Sequence, residues 1–207
     1  MSTTTKSFYT FLFGAVNLLT YFWIQGYVGN EYSFMTPVDK AIPFMPEFVW
    51  IYHTIIPVIV VTMIILVKNR KVFMNTLWAC IMATFFIHLL YLIFPSFYPR
   101  PEFTPQNISE RLVELSYMID NSSNTFPSGH VAFSWLMFWG ASHSELAKKH
   151  NVLKRVYLLW AVGVTISTLA IKMHYIVDLF GGFAIAAFCY FSVKYMFSRN
   201  IFKKSIN

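Results

Sequence analysis

The sequence predicts an all-α polytopic membrane protein, a six-transmembrane-helix bundle with an extracytoplasmic loop cap. Three observations lead there. Hydrophobic residues make up 57% of the 207 and charged residues 12%, against roughly 25% charged in a soluble domain. The apolar stretches are long and continuous, without the alternation of a barrel strand, and hydrocarbon admits only helices or closed barrels. The basic residues gather at the ends of these stretches, as topology signals do. One domain covering 1–207 follows from this length and pattern.

Taken in order, the expected spans are about 8–26, 48–67, 72–95, 129–146, 153–172 and 175–197. Each approaches the roughly 20 residues that cross the hydrocarbon, the fourth being short. Lys6 precedes the first span, but Ile24-Gln25-Gly26 offers no small-residue cleavage site, so this segment reads as a retained helix rather than a signal peptide. Pro57 predicts a kink in the second span. Lys68-Asn69-Arg70-Lys71 permits only a tight hairpin, as does 146–152. Pro37, Pro43 and Pro46 make 27–47 an interfacial loop. Residues 96–128 form a polar cap with a short helix near 107–119 and a turn cluster at Asp120–Thr125.

Charge sets the expected orientation. With both termini cytoplasmic, Lys6, Lys68, Arg70, Lys71, Lys148, Lys149, Lys154, Arg155, Lys194, Arg199, Lys203 and Lys204 lie inside, and Lys40, Arg100, Arg111 and Lys172 lie outside. A cell-membrane location with the functional face extracytoplasmic is the corresponding expectation. The net charge of +7 therefore reflects topology and not nucleic-acid binding. Cys80 and Cys189 fall in apolar runs, as small buried residues without disulfide or metal spacing.

This orientation brings three polar clusters to one membrane face. Arg100-Pro101 follows the third span, Pro127-Ser128-Gly129-His130 opens the fourth, and His174 and Asp178 begin the sixth. Ser128 suits an N-cap, and the helix start behind it offers unpaired N–H groups and partial positive charge to a phosphate. Gly129 permits close backbone approach. His130 is placed to pass a proton to a leaving oxygen, or is simply an interfacial histidine beside a cap. Asp178, one helical turn after His174, can fix that ring's tautomer and leave its other nitrogen nucleophilic; a structural His–Asp pair is the alternative. Arg100 could clamp phosphate oxygens or snorkel towards headgroups. His53 and His88, inside apolar spans, read as packing or hydrogen-bonding residues. His143 and His150 fall on the other side and receive no role.

The order Arg100-Pro101, Pro127-Ser128-Gly129-His130, then Ser167 and His174-Tyr175-Ile176-Val177-Asp178 resembles the type 2 phosphatidic acid phosphatase superfamily, whose motifs are Lys-x6-Arg-Pro, Pro-Ser-Gly-His and Ser-Arg-x5-His-x3-Asp. The resemblance implies His174 as nucleophile through a phosphohistidine, Asp178 as its orienting partner and His130 as proton donor to the leaving alcohol. Arg100, Ser128 and Gly129 would hold phosphate oxygens, and neither a metal nor another cofactor is implied. Two family cations are absent, at Ile93 and Thr168. Lys172 is the available substitute, if a break in the helix brings it round. His-Tyr-x-Val-Asp followed by Leu179-Phe180-Gly181-Gly182 resembles the branch that includes inositol phosphorylceramide and sphingomyelin synthases.

The expected function is an integral membrane lipid-phosphate phosphatase, with a phosphorylated lipid as substrate, membrane lipids as surroundings and no nucleic-acid partner. The alternatives are a lipid phosphotransferase, in which an alcohol replaces water, and a non-catalytic lipid-binding membrane protein.

Overall fold

The computed structural model of the chain describes residues 2–199. Ten α-helices run in order through them: α1 (Thr3–Tyr27), α2 (Pro37–Ala41), α3 (Val49–Tyr52), α4 (Ile55–Leu66), α5 (Arg70–Ile93), α6 (Ile108–Ile119), α7 (Gly129–Ser142), α8 (Glu145–Lys149), α9 (Asn151–Ala170) and α10 (Ile176–Ser198). Side-chain caps fix several starts. Ser2, Asn69, Asn107 and Ser144 each accept from the N–H three residues on, which satisfies a donor that the first turn leaves unpaired. No strand occurs among the described residues, and the fold is all-α as expected.

Five helical segments are long and apolar enough to cross a membrane: Thr3–Tyr27, Pro46–Leu66, Arg70–Ile93, Asn151–Ala170 and Ile176–Ser198. The expected fourth span is shorter than 129–146. Helix α7 ends at Ser142 after 14 residues, about 21 Å, and a turn leads into α8. It is central, packed against α4, α5, α9 and α10, and Leu136, Met137, Val131 and Ala132 on it are wholly buried. Surrounded by protein, its ends meet polar groups before they meet lipid.

The second span is interrupted as Pro57 predicts: the helix breaks at His53-Thr54, where the proline ring clears the carbonyl four residues before it and no N–H serves that carbonyl. Pro57 is then the third residue of α4, in the first turn, where the missing N–H removes no intrahelical bond. Outward-facing apolar residues such as Phe11, Leu159 and Phe180, each about 70% exposed or more, suit a lipid surround. Cys80 and Cys189 are buried free thiols, as the sequence suggests.

The two ends of the bundle differ. At one, the Lys6 ammonium meets the carbonyl of Val67, Lys148 pairs with Glu145 at 2.7 Å, and Lys194 Nζ lies 2.9 Å from His143 Nε2. Lys203 and Lys204 lie outside the described residues. At the other end the long loops interlock. The N–H groups of Glu31 and Tyr32 donate to Pro95 (2.9 and 3.1 Å), Tyr98 N–H to Ser122 (2.9 Å) and Met45 N–H to Ala170 (2.9 Å). Ser96 Oγ accepts from the Thr125 hydroxyl and the Phe126 N–H.

Helix α10 meets the start of α7 across glycines. A Cβ on Gly182 would stand 2.4 Å from the Ser128 carbonyl oxygen, and one on Gly181 would stand 2.7 Å from the Phe126 ring. Positions 181 and 182 must therefore be small for Asp178 and Ser128 to lie together. Gly182→Ala is expected to lower the apparent thermal midpoint in detergent by several degrees, because the obstructing atom is backbone and has nowhere to move; an unchanged midpoint would show that the two segments separate freely.

Candidate active site

His174 sits just past α9 on a turn that the sequence hides. Lys172 N–H donates to Leu169 (3.1 Å) and Met173 N–H to Thr168 (2.9 Å), the paired bonds of a Schellman helix end. The position after the cap adopts a left-handed backbone, normally a glycine's place, yet Lys172 occupies it with φ 55°. Its side chain supplies compensation, since the ammonium donates to the carbonyls of Asp39 (3.1 Å) and Ile42. The helix does break near Lys172, but the break turns the lysine towards the 37–42 loop. Lys172 is not among the residues lining the cavity, which corrects its expected part in phosphate binding.

The same loop grips the other side of His174. Asp39 Oδ1 accepts from the Ile176 N–H at 2.8 Å, and its Oδ2 accepts from the Thr36 N–H at 2.9 Å. Burial alone would push the Asp39 carboxyl up, but the bonds from Thr36 and Ile176, with Lys172 nearby, hold it below its ordinary value. Helix α2 thus braces the chain two residues before and two residues after His174.

His174 and Asp178 pair as expected. His174 Nδ1 lies 3.2 Å from Asp178 Oδ2, which also accepts the Tyr175 N–H at 2.9 Å. Both side chains are buried, at 7% and 0% exposure. With Nδ1 donating to the carboxylate, Nε2 keeps its lone pair. The Asp178 carbonyl accepts the Ser128 N–H at 3.0 Å, so one residue links the two motifs through both side chain and backbone. Ser128 caps α7, its hydroxyl accepting from the Val131 N–H at 3.4 Å. It is wholly buried and outside the cavity lining.

His130 stands opposite His174, ring centroids 6.2 Å apart, and stacks on Tyr52 at 4.2 Å. Between them opens a cavity of about 410 Å³, with Gly129, His130, His174, Arg100 and Asp120 at its polar part. Leu18, Phe22, Ile55, Ile59, Ile87 and Phe133 form its apolar wall. Arg100 reaches the cavity but is already engaged: its guanidinium donates to the carbonyls of Tyr117 (3.0 Å), Asp120 and Asn121 (2.6 Å) and covers the Tyr117 ring at 4.4 Å. These carbonyls end α6, so a cation there is favourable.

The residues that sequence reasoning passed over come from the loop and the first helix. Asp120 lines the cavity and accepts from the Tyr21 hydroxyl and from Gln25 Nε2 at 2.9 Å. Burial raises its pKa against the effect of those bonds and of Arg100. His53 and His88 hydrogen-bond as expected, Nε2 of His53 to Ser116 Oγ (2.8 Å) and Nδ1 of His88 to Thr20 Oγ1 (3.2 Å), but they also face the cavity. Ile93 is 53% exposed and Thr168 is wholly buried with its hydroxyl on the Thr165 carbonyl. Neither position lines the cavity. No cluster suited to a metal ion occurs among the described residues.

Comparison with known proteins agrees with the motifs. The family model described as the PAP2 superfamily matches residues 74–202. The chain is similar to phosphatidylglycerophosphatase B of Bacillus subtilis (strain 168), 29% identical over 103 residues, which is 46% of this chain and 44% of that relative. No solved structure matches.

The Asp39 latch generates a pH prediction. A carboxyl whose folded pKa lies below its unfolded 3.8 stabilises fully above that value, and the contribution is lost as pH falls through the folded pKa. Thermal unfolding in detergent between about pH 7 and pH 3 should show the wild-type midpoint falling at the acid end. Asp39→Asn should start lower and lack that part of the slope; identical profiles would remove Asp39 from the latch.

Proposed function

Since the chain belongs to the PAP2 superfamily, we propose that it is an integral membrane lipid-phosphate phosphatase working through a phosphohistidine at the extracytoplasmic face. The observation that carries this reading is the meeting of His130 and a carboxylate-oriented His174 across one cavity with an apolar wall. The two rings, with centroids 6.2 Å apart, are near enough for both imidazoles to address one phosphoryl group bound in the cavity that they line.

In the first step His174 Nε2 attacks phosphorus, and the bond from phosphorus to the lipid oxygen breaks. His130, protonated, gives its proton to that oxygen, and the lipid alcohol leaves. The imidazole of His174 then carries the phosphoryl group, its Nδ1–H still on Asp178, which stabilises the ring as charge develops. In the second step water attacks phosphorus, His130 takes the proton, the P–N bond breaks and phosphate departs. Leu18, Phe22, Ile55, Ile59, Ile87 and Phe133 suit the lipid chains. The name of the B. subtilis relative, phosphatidylglycerophosphatase B, makes phosphatidylglycerophosphate a first substrate to assay. The proposed orientation is supported by the excess of basic residues that the sequence assigns to one side of the membrane, which favours cytoplasmic termini.

The same cavity wall favours one second reading. A lipid alcohol fits an apolar pocket as well as water does, so a phosphotransferase would use the same first step and deliver the phosphoryl group to that alcohol.

His174→Ala is expected to abolish phosphate release from detergent-solubilised lipid phosphate, and Asp178→Asn to reduce kcat by roughly 100-fold or more. Trapping a phosphohistidine from labelled donor in wild type but not in His174→Ala checks the intermediate. Undiminished release from His174→Ala would overturn the mechanism, and exchanged lipid without free phosphate would select the transferase.

A further inference from the structure

Asn124 is a polar group in the cavity wall with no protein partner. It is 2% exposed, neither its side-chain nitrogen nor its oxygen has a hydrogen-bond partner, and it lines the same cavity as Gly129, His130 and His174. Buried amides are ordinarily paired, because an unmade bond costs the full desolvation of the group.

Its backbone is equally specific. Asn124 has φ 58°, the left-handed region that asparagine tolerates better than most side chains. Both neighbours are pinned: Ser123 N–H donates to Asn121 Oδ1 at 3.0 Å, and the Thr125 hydroxyl donates to Ser96 Oγ at 3.0 Å. The amide is therefore set on a fixed backbone, as a binding group needs to be.

Resting on the phosphoryl-transfer reading above, we infer that Asn124 is a substrate-binding residue whose amide N–H groups donate to a non-bridging oxygen of the lipid phosphate. The cavity is short of cationic donors for an anion. Among the described residues lining it, Arg100 is the one arginine or lysine, and its terminal nitrogens already serve the carbonyls at the end of α6, which leaves only its Nε without a partner. Asp120 adds a carboxylate to the same wall. A neutral amide supplies donors there without a counter-charge, and binding the phosphate satisfies a group that is otherwise orphaned. Its carbonyl oxygen is left to accept from the hydroxyl of the incoming water or alcohol.

The test uses the full chain in detergent, with two variants. Asn124→Gly removes the amide and keeps the left-handed backbone without strain. Asn124→Asp keeps shape and backbone but replaces donors with a carboxylate. Phosphate release from lipid phosphate and the thermal shift given by inorganic phosphate are both read. Asn124→Gly should lower kcat/KM by roughly 10- to 100-fold, mostly through KM, and lose most of the phosphate-induced shift. Its ligand-free midpoint should be unchanged or higher, because an unpaired buried amide has been removed. Asn124→Asp should lose more. Wild-type kcat/KM with a wild-type phosphate shift in Asn124→Gly overturns the inference. So does a lower ligand-free midpoint with both properties intact, which marks a structural residue. Should Asn124→Gly fail to fold, an undiminished phosphate shift in Asn124→Asp overturns it equally. Failure of the phosphatase reading looks different, because the wild type then releases no phosphate from any lipid. The shift with inorganic phosphate still decides Asn124, as an anion ligand if the variants lose it and not one if they keep it.

Discussion

Asp178 is the residue through which the distant parts of the site are joined. One carboxylate oxygen accepts from the His174 ring and from the Tyr175 N–H, and its carbonyl accepts from the Ser128 N–H. The first use orients an imidazole, the second caps α10, and the third carries the start of α7 to the place where His130 faces His174. The carboxylate has no exposed surface; both donors meet Oδ2, while Oδ1 has no hydrogen-bond partner, so removing either donor leaves the charge still less compensated. The glycine pair at 181–182 belongs to the same constraint. It lets two backbones approach more closely than any side chain would allow, and without that approach the bond from Ser128 could not form.

The cap extends this arrangement outward. Helix α2 is short, and its own packing against the bundle is slight, yet it holds both flanks of the turn that presents His174. Lys172 donates into it and Ile176 donates to its aspartate. An ammonium on backbone carbonyls and a carboxylate on a backbone N–H are charge-assisted bonds, stronger than neutral ones. They fix a turn whose left-handed residue is a lysine and not a glycine. The bond from Met45 to Ala170 ties the loop after α2 to the same helix end. The loop therefore acts on the catalytic geometry although none of its residues lines the cavity.

The fold was largely legible in the sequence, because hydropathy and basic flanks report directly on what lipid permits. The His174–Asp178 pair was legible for a similar reason, as helical spacing alone puts four-apart side chains on one face. What escaped depended on tertiary placement. Lys172 resembled a spare phosphate cation, and only the Schellman turn shows it pointing to the α2 loop. Asp120 and Asn124 lay within a recognised turn cluster, yet composition marks such a stretch as loop and says nothing about which of its side chains turn inward. The alignment of family positions likewise could not show that 93 and 168 face away from the cavity.

The electrostatics of the cavity follow from those placements. Arginine at 100 is retained, but its terminal nitrogens close the end of α6, so much of its donor capacity is used before a substrate arrives. The carboxylate of Asp120 sits nearby, shared between Tyr21 and Gln25 from α1, and offsets part of the guanidinium field. An anion entering here meets a modest positive potential, made of one partly committed guanidinium, the N-terminal end of α7 and neutral donors. Such a site discriminates by geometry more than by charge, since directional N–H groups hold a tetrahedral group in one orientation while a strong point charge would hold it in many. The apolar wall works in the same direction. It lowers the local dielectric and strengthens each directional bond.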